Sequence, residues 1–327
     1  MKKTVLQLLA TSLLVLAILG FKDYDSYKGF SLKAFESSLA EIPTATFRMG
    51  VCEEDLPYIP ADRCRQVKVD SFYISKYEVS NGQYVEFLEA VRKQDTALYT
   101  KMLPDTLVWR EKFVCNEPYV EYYLRHQAYS TCPVVGVSYE QAETFCSWLT
   151  KRYQQEPKRK FEKAVFRLPT EEQWVSAARG GPASNFFPWK GMELQNKKGE
   201  LRANFSYVEQ YSVGRDTVFE QDIYGHGFVK KGVYIALPSH WSAQEKMKSS
   251  NPYRDILLPV SSLEPGSFGL YNMAGNVEEF VRPKGKTHGG SWRDPGYYLL
   301  NIASEKYDTL SSASVERGFR FVMEKTE

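Results

Sequence analysis

The chain has 327 residues, 42 lysines and arginines against 40 aspartates and glutamates, 43% hydrophobic residues, 14% aromatic residues and five cysteines. This composition excludes a disordered or collagenous chain and supplies enough apolar material for a sizeable core. The near-even charge balance offers no long-range field for phosphate backbones, so nucleic acid is not expected as a partner. Six Trp, 22 Tyr and 19 Phe imply a core of large flat side chains whose hydroxyl and indole groups need partners, which favours a loop-rich fold over a helical bundle.

Lys2 and Lys3 are followed by an uncharged run from Thr4 to Gly20 that is rich in leucine. A basic start before an apolar stretch is the pattern of a secretory signal, so residues 1–21 are expected to be a signal peptide or, if uncleaved, an N-terminal anchor. The expected location is therefore outside the cytoplasm. No cysteine follows Leu16-Ala-Ile-Leu-Gly20, so the box that would carry a lipid is missing. Residues 22–42 are polar and without period, and read as a leader to a single domain over 43–327, beginning near Thr46-Phe-Arg-Met-Gly50.

Val67 and Val69, then Phe72 and Ile74, alternate with polar residues, and the change of parity near Asp70-Ser71 predicts one strand with a bulge or bend. Tyr84, Phe87, Leu88 and Val91 fall at helical spacing, predicting an amphipathic helix over Asn81–Lys93 entered through Ser80 or Asn81. Ser138 and Gln141 form a capping box ahead of Ala142, Phe145, Cys146 and Leu149. Thr170 and Gln173 repeat it ahead of Trp174, Ala177 and Ala178, with Gly180-Gly-Pro182 as the stop. From Lys190 to about Ser250 the chain is polar and turn-rich and is expected to form long surface loops with little regular structure.

In an exported protein the cysteines suggest disulfides. Cys52 and Cys64 flank one stretch and Cys115 and Cys132 bracket another, without the spacing fixing the connectivity. Cys146, on a helix face, reads as a small buried apolar residue. The histidines at 126, 226, 240 and 288 are scattered, and no cysteine or histidine spacing suggests zinc.

One ordered set of blocks runs through the chain: Phe47-Arg-Met-Gly50, Pro133-Val-Val-Gly-Val-Ser138, Arg167-Leu-Pro-Thr-Glu-Glu-Gln-Trp174, Phe187-Pro-Trp189, Gly269-Leu-Tyr-Asn-Met-Ala-Gly-Asn-Val-Glu-Glu279, Gly289-Gly-Ser-Trp292 and Gly318-Phe-Arg320. This set resembles the formylglycine-generating enzyme family, or sulfatase-modifying-factor domain. The resemblance implies a single irregular α+β domain, shaped like a C-type lectin, with low regular secondary structure.

The family's copper oxidases use two cysteines downstream of Gly-Gly-Ser to hold Cu(I) between soft sulfur ligands. Counted from Gly289, those positions carry Asp294 and Leu299, with Ser291 and Trp292 just upstream. The resemblance thus implies a former active site, no copper and no catalysis. It also implies a structural Ca²⁺ held by Asn272, Gly275, Val277 and Glu279, and a second calcium loop starting at Asn204 and Phe205, since hard oxygen ligands suit that ion. Asp294 with Arg293, Arg317 and Arg320 could be an acid–base group, but Asp294-Pro295 also reads as a turn and Arg320 as a buried clamp on carbonyls or a carboxylate.

Leu103-Pro-Asp-Thr-Leu-Val-Trp109, Asn116-Glu-Pro118, His126-Gln-Ala-Tyr129 and the Trp292-Arg-Asp-Pro-Gly-Tyr-Tyr-Leu299 run look like the non-catalytic GldK/GldJ/PorK group of gliding motility and type IX secretion. That implies a periplasmic, outer-membrane-associated scaffold, bound to envelope proteins of a secretion or motility complex and able to form a homo-oligomer or ring. Inserts near 95–131 and 190–260 carry aromatics, among them Trp109, Tyr119, Tyr122, Tyr123 and Trp241, that read either as core plugs or as partner anchors. The rival functions are a formylglycine-generating oxidase acting on a Cys-containing protein and a calcium-dependent glycan-binding or ligand-binding module.

Overall fold

A computed structural model describes residues 31–50, 64–110, 117–180, 185–191, 193–205, 212–221, 227–236, 257–294, 299, 304–306 and 312–325. Helix α1 (Leu32–Ser37) leads into β1 (Leu39–Ile42), β2 (Ala45–Met49), β3 (Arg65–Val69) and β4 (Phe72–Ser75). Then come α2 (Asn81–Gln94), α3 (Thr96–Met102), α4 (Glu117–Tyr122), α5 (Tyr139–Gln154), β5 (Ala164–Arg167) and α6 (Glu171–Arg179). The remaining elements are β6 (Ser212–Gln221), β7 (Gly227–Ala236), β8 (Glu278–Val281), β9 (Lys286–His288), β10 (Ser304–Lys306), β11 (Arg317–Gly318) and β12 (Val322–Lys325). This is the expected mixed, loop-rich α+β arrangement.

Side-chain caps set where the main helices begin. Ser80 and Gln83 close the box at α2, Ser138 and Gln141 at α5, and Thr170 and Gln173 at α6. Each box satisfies amide groups that the helix itself leaves without a partner. Gly180 ends α6 in a left-handed conformation, φ 76°, which glycine adopts without steric cost.

The main sheet runs β1-β4-β12-β5 and is antiparallel throughout. Its Ala40, Ile74 and Val322 lie in adjacent register and join Ile42, Trp174, Val175 and Val281 in one buried cluster. The opposite flank is aromatic: Phe35 from α1 packs edge-on to Phe166 at 5.4 Å and stacks on Phe321 at 5.9 Å. A second sheet, β10-β9-β8-β11, pairs β8 with β11 in parallel. The C-terminal strands thus bring Arg320 between the two sheets.

Three expectations are corrected. The segment read as a leader contributes α1 and the edge strand β1, so the compact unit begins at Leu32 rather than 43. The strand expected to bend at Asp70-Ser71 is two strands in two sheets: β3 pairs with β2, while β4 joins the main sheet. The parity change marks that crossing. The stretch expected to be surface loops contains an antiparallel hairpin, β6 with β7, ten residues in each strand. Its Val, Ile, Phe and Tyr residues favour strands, but interspersed charges such as Arg215, Asp216, Lys230 and Lys231 hide the pattern. No helix among the described residues is long and apolar enough to cross a membrane, and the expected signal segment lies outside them.

Candidate functional site

The Gly269–Glu279 block folds as a tight loop that enters β8. Asn272 (φ 49°), Gly275 (φ 73°) and Asn276 (φ 64°) all adopt left-handed backbone conformations. A Cβ at Gly275 would lie 2.2 Å from the carbonyl oxygen of Asn204, so only glycine lets the two chains touch. There the main-chain N–H of Asn276 donates to Asn204 O at 2.6 Å, and Asn204 Nδ2 donates to Asn276 Oδ1 at 3.1 Å.

The loop encloses a carboxylate that the sequence did not single out. Glu78 is fully buried and accepts from Asn272 Nδ2 at 2.9 Å and Asn276 Nδ2 at 2.8 Å. Burial pushes its carboxyl up to about 8, against the pull of Arg320 and the two amides. Its only local signal is a charge set between Tyr77 and Val79 ahead of a capped helix.

Glu279 is held differently. Arg320 donates Nε to Oε2 and Nη2 to Oε1, both at 2.6 Å, and Trp174 Nε1 adds a bond to Oε2 at 2.8 Å. The remaining guanidinium donors reach the carbonyls of Ser75, Lys76 and Tyr271 at 2.8–3.2 Å. Arg320 is thus the buried clamp expected of it.

This geometry bears on the two expected calcium loops. Within the set Asn272, Gly275, Val277 and Glu279, both oxygens of the single carboxylate face a guanidinium, which already supplies a positive charge there, and the amide nitrogen of Asn272 donates to Glu78. Calcium needs several free oxygens around one point. Asn204 spends its side chain and carbonyl on Asn276, and Phe205 packs in an apolar cluster. Among the described residues no group of three or more His, Cys, Asp or Glu converges as a metal site.

The former active-site positions separate into two environments. Asp294 closes a turn over Ser291: Ser291 N donates to Asp294 Oδ2 at 2.7 Å, and Asp294 N donates back to Ser291 O at 3.2 Å. Ser291 is completely buried, and its hydroxyl oxygen accepts from Arg293 N at 3.2 Å. Trp292 is buried with its indole N–H on Val315 O at 3.2 Å, and the Arg293 guanidinium sits 4.3 Å from the Trp292 ring. Arg293 also pairs with Glu316, and Arg317 with Glu278. The arginines around Asp294 are therefore spent on other carboxylates, and the acid–base constellation does not assemble. Leu299 lies in a different cluster, fully buried with Phe187, Ala203, Phe205 and Ala274. A carboxylate folded into a turn and an isobutyl group in an apolar cluster offer Cu(I) no sulfur and do not fit it.

The first insert covers Trp292. Trp109 sits 6.4 Å from Trp292, 5.0 Å from Tyr119 and 4.8 Å from Tyr123. Trp109 and Tyr123 are core plugs, each 2% exposed, whereas Tyr122 is 51% exposed; Trp241 lies outside the described residues. His288 is buried with Nε2 3.2 Å from Glu171 Oε1, but its Nδ1 finds no partner among the described residues.

The thiols complete the inventory. Cys64 is disulfide-bonded, while Cys52 and Cys115 lie outside the described residues. Cys132, expected in a bridge, is instead a free buried thiol whose Sγ points to Leu257 O at 3.7 Å. Its side chain is enclosed with Trp109, Tyr123 and Trp292. Burial pushes Cys132 up to about 12 and Cys146 well above the usual thiol range. Neither supplies a thiolate at neutral pH.

Comparison with known proteins agrees with this architecture. Over 88% of this chain and 95% of the other, the fold superposes on Treponema denticola variable protein 1 with a TM-score of 0.51 at 16% identity. The formylglycine-generating enzyme of Mus musculus is 26% identical across 87% of this chain and 74% of its own length. The inactive C-alpha-formylglycine-generating enzyme 2 of Mus musculus is 23% identical across 88% of this chain and 86% of its own length. Residues 36–325 match the family model of the sulfatase-modifying factor enzyme 1-like domain, and the chain belongs to that family.

Proposed function

We propose that this chain is a non-catalytic member of its family that works by binding other proteins of the cell envelope. The observation that carries this reading is the fate of the two positions matched to the family's cysteines. Asp294 is consumed by a turn with Ser291 and Leu299 by an apolar cluster. The high-pKa thiols of Cys132 and Cys146 do not replace them. The family contains both a formylglycine-generating enzyme and a relative named inactive, so loss of activity on this fold has a precedent.

The finer reading follows the sequence motifs. The Leu103–Trp109 and Trp292–Leu299 runs support a scaffold role in type IX secretion or gliding motility, with the protein exported to the periplasm and associated with the outer membrane, alone or as a ring. The test is in-cell crosslinking of the native protein followed by mass spectrometry of its neighbours. Crosslinks from 95–131 or 190–260 to secretion or outer-membrane proteins are expected; a protein with no envelope neighbour contradicts the reading.

A further inference from the structure

We propose that the basic end of the folded unit, where α1 packs on the loop after α5, rests on an anionic phospholipid bilayer, with the apolar run Thr4–Gly20 as its tether. Six cations (Lys33, Arg152, Lys158, Arg159, Lys160, Lys163) stand there against three carboxylates (Glu36, Glu156, Glu162), although the whole chain is close to balance, 42 against 40. The proposal rests on the reading of this protein as a membrane-associated component of the envelope, and it names the face that meets the lipid.

Two of the three carboxylates are engaged within the fold. Glu156 pairs with Arg152. Glu36 Oε1 accepts from the Tyr153 hydroxyl and from Lys160 N, both at 2.6 Å. Arg159 donates to the main-chain carbonyls of Glu156 and Glu162, which leaves its charge unanswered. Lys158 and Lys160 are exposed and have no carboxylate partner among the described residues; the Lys160 ammonium lies 5.1 Å from the centre of the Phe161 ring. Beside them Lys325 and Glu41 answer each other through the Tyr73 hydroxyl, at 3.4 and 2.8 Å, and add nothing to the excess.

The incoming chain reaches the folded unit at this same end. The compact unit begins at Leu32. Its α1 is held on the basic loop by Phe35, 5.7 Å from the Tyr153 ring, and by the two Glu36 bonds. Thr4–Gly20 is thus joined to the basic end through Phe21–Ser31, a link that spans at most roughly 40 Å. Such a tether sets a distance and no orientation. Each lysine close to an anionic surface strengthens binding about fivefold, and the gain fades within a Debye length of about 8 Å. The end with the excess of cations is therefore the one that settles on the lipid.

The experiment places the full-length protein on vesicles of phosphatidylcholine, with and without phosphatidylglycerol, and acylates its lysines with a water-soluble active ester. Mass spectrometry reads each site. Phosphatidylglycerol should slow labelling of Lys33, Lys158, Lys160 and Lys163 about fivefold or more. Lys93 and Lys101, exposed on α2 and α3, should label at one rate on both vesicles. Salt at about 1 M, where the Debye length is about 3 Å, should release the protection. The double variant Lys158→Glu, Lys160→Glu should remove it from Lys33 and Lys163. Equal labelling on both vesicles, protection shared by Lys93 and Lys101, or protection indifferent to salt or to the double variant overturns the proposal. So does native protein that lacks Thr4–Gly20. Each of these failures leaves the envelope reading standing, because its crosslinks are sought from 95–131 and 190–260, which contain none of the four protected lysines.

Discussion

Arg320 and Glu279 face each other as a two-bonded pair, both contacts at 2.6 Å and neither residue more than 1% exposed. A buried pair is tolerated only when the remaining donors and lone pairs are met. Here three carbonyls and one indole meet them. Through these bonds the pair ties β8, the end of β4 and the 271–279 loop together.

Breaking that pair on one side should be costly. Arg320→Met leaves a buried carboxylate with no counter-charge, and the expected loss is about 3–5 kcal/mol. The double change Arg320→Met with Glu279→Gln should lose less than the sum of the two single changes. Urea denaturation of the four proteins measures this. A single-variant loss below about 1 kcal/mol would contradict a buried, fully bonded pair.

Because Arg320 already neutralises the loop carboxylate, chelation should not weaken the fold. Differential scanning fluorimetry with EGTA and with added CaCl₂ should give one Tm. A Tm that rises with calcium concentration would show that the ion binds the native state and would restore the calcium loop.

Gly275 is constrained twice, by φ 73° and by the Asn204 carbonyl that a Cβ would meet at 2.2 Å. Gly275→Ala should therefore destabilise by more than the ~1 kcal/mol that such changes can add at compatible sites, and it should loosen the Asn204–Asn276 bonds. Amide hydrogen exchange at Asn276 checks this directly. Unchanged protection would contradict the close approach.

Glu171 gives the fold an acid limit. Burial pushes its carboxyl up, but His288 and Lys286 outweigh that and hold it at about 2. A folded-state value below the unfolded one contributes stability that is complete above about pH 4.5 and is lost as the pH falls toward 2. The loss should be on the order of 2–3 kcal/mol. The stability difference between wild type and Glu171→Gln should shrink across this window. A difference that stays flat from pH 5 to pH 2 would contradict the assignment.

Local signals were legible in the sequence and long-range ones were not. Ser80, Ser138 and Thr170 each announce a helix within four residues, because a capping box is satisfied by its own neighbours. The block order gave the fold, and the Gly-Phe-Arg320 motif gave the clamp. Glu78 escaped because its amide partners, Asn272 and Asn276, lie 194 and 198 residues away. The same distance effect hid the partner of Glu279, since Arg320 comes from the last strands of the chain. The crossing at Asp70-Ser71 showed as a change of parity, but parity cannot say that the two halves enter different sheets. Cys132 looked like half of a bridge from spacing alone, whereas its surroundings are Trp109, Tyr123 and Trp292.

The most direct test of the central claim is an oxidation assay. Full-length protein loaded with copper is incubated in air with a peptide carrying the sulfatase cysteine motif, beside an active formylglycine-generating enzyme as reference. Mass spectrometry then follows the peptide. The account predicts an unchanged cysteine in the presence of this protein while the reference converts its peptide; formylglycine above the no-enzyme background would contradict it.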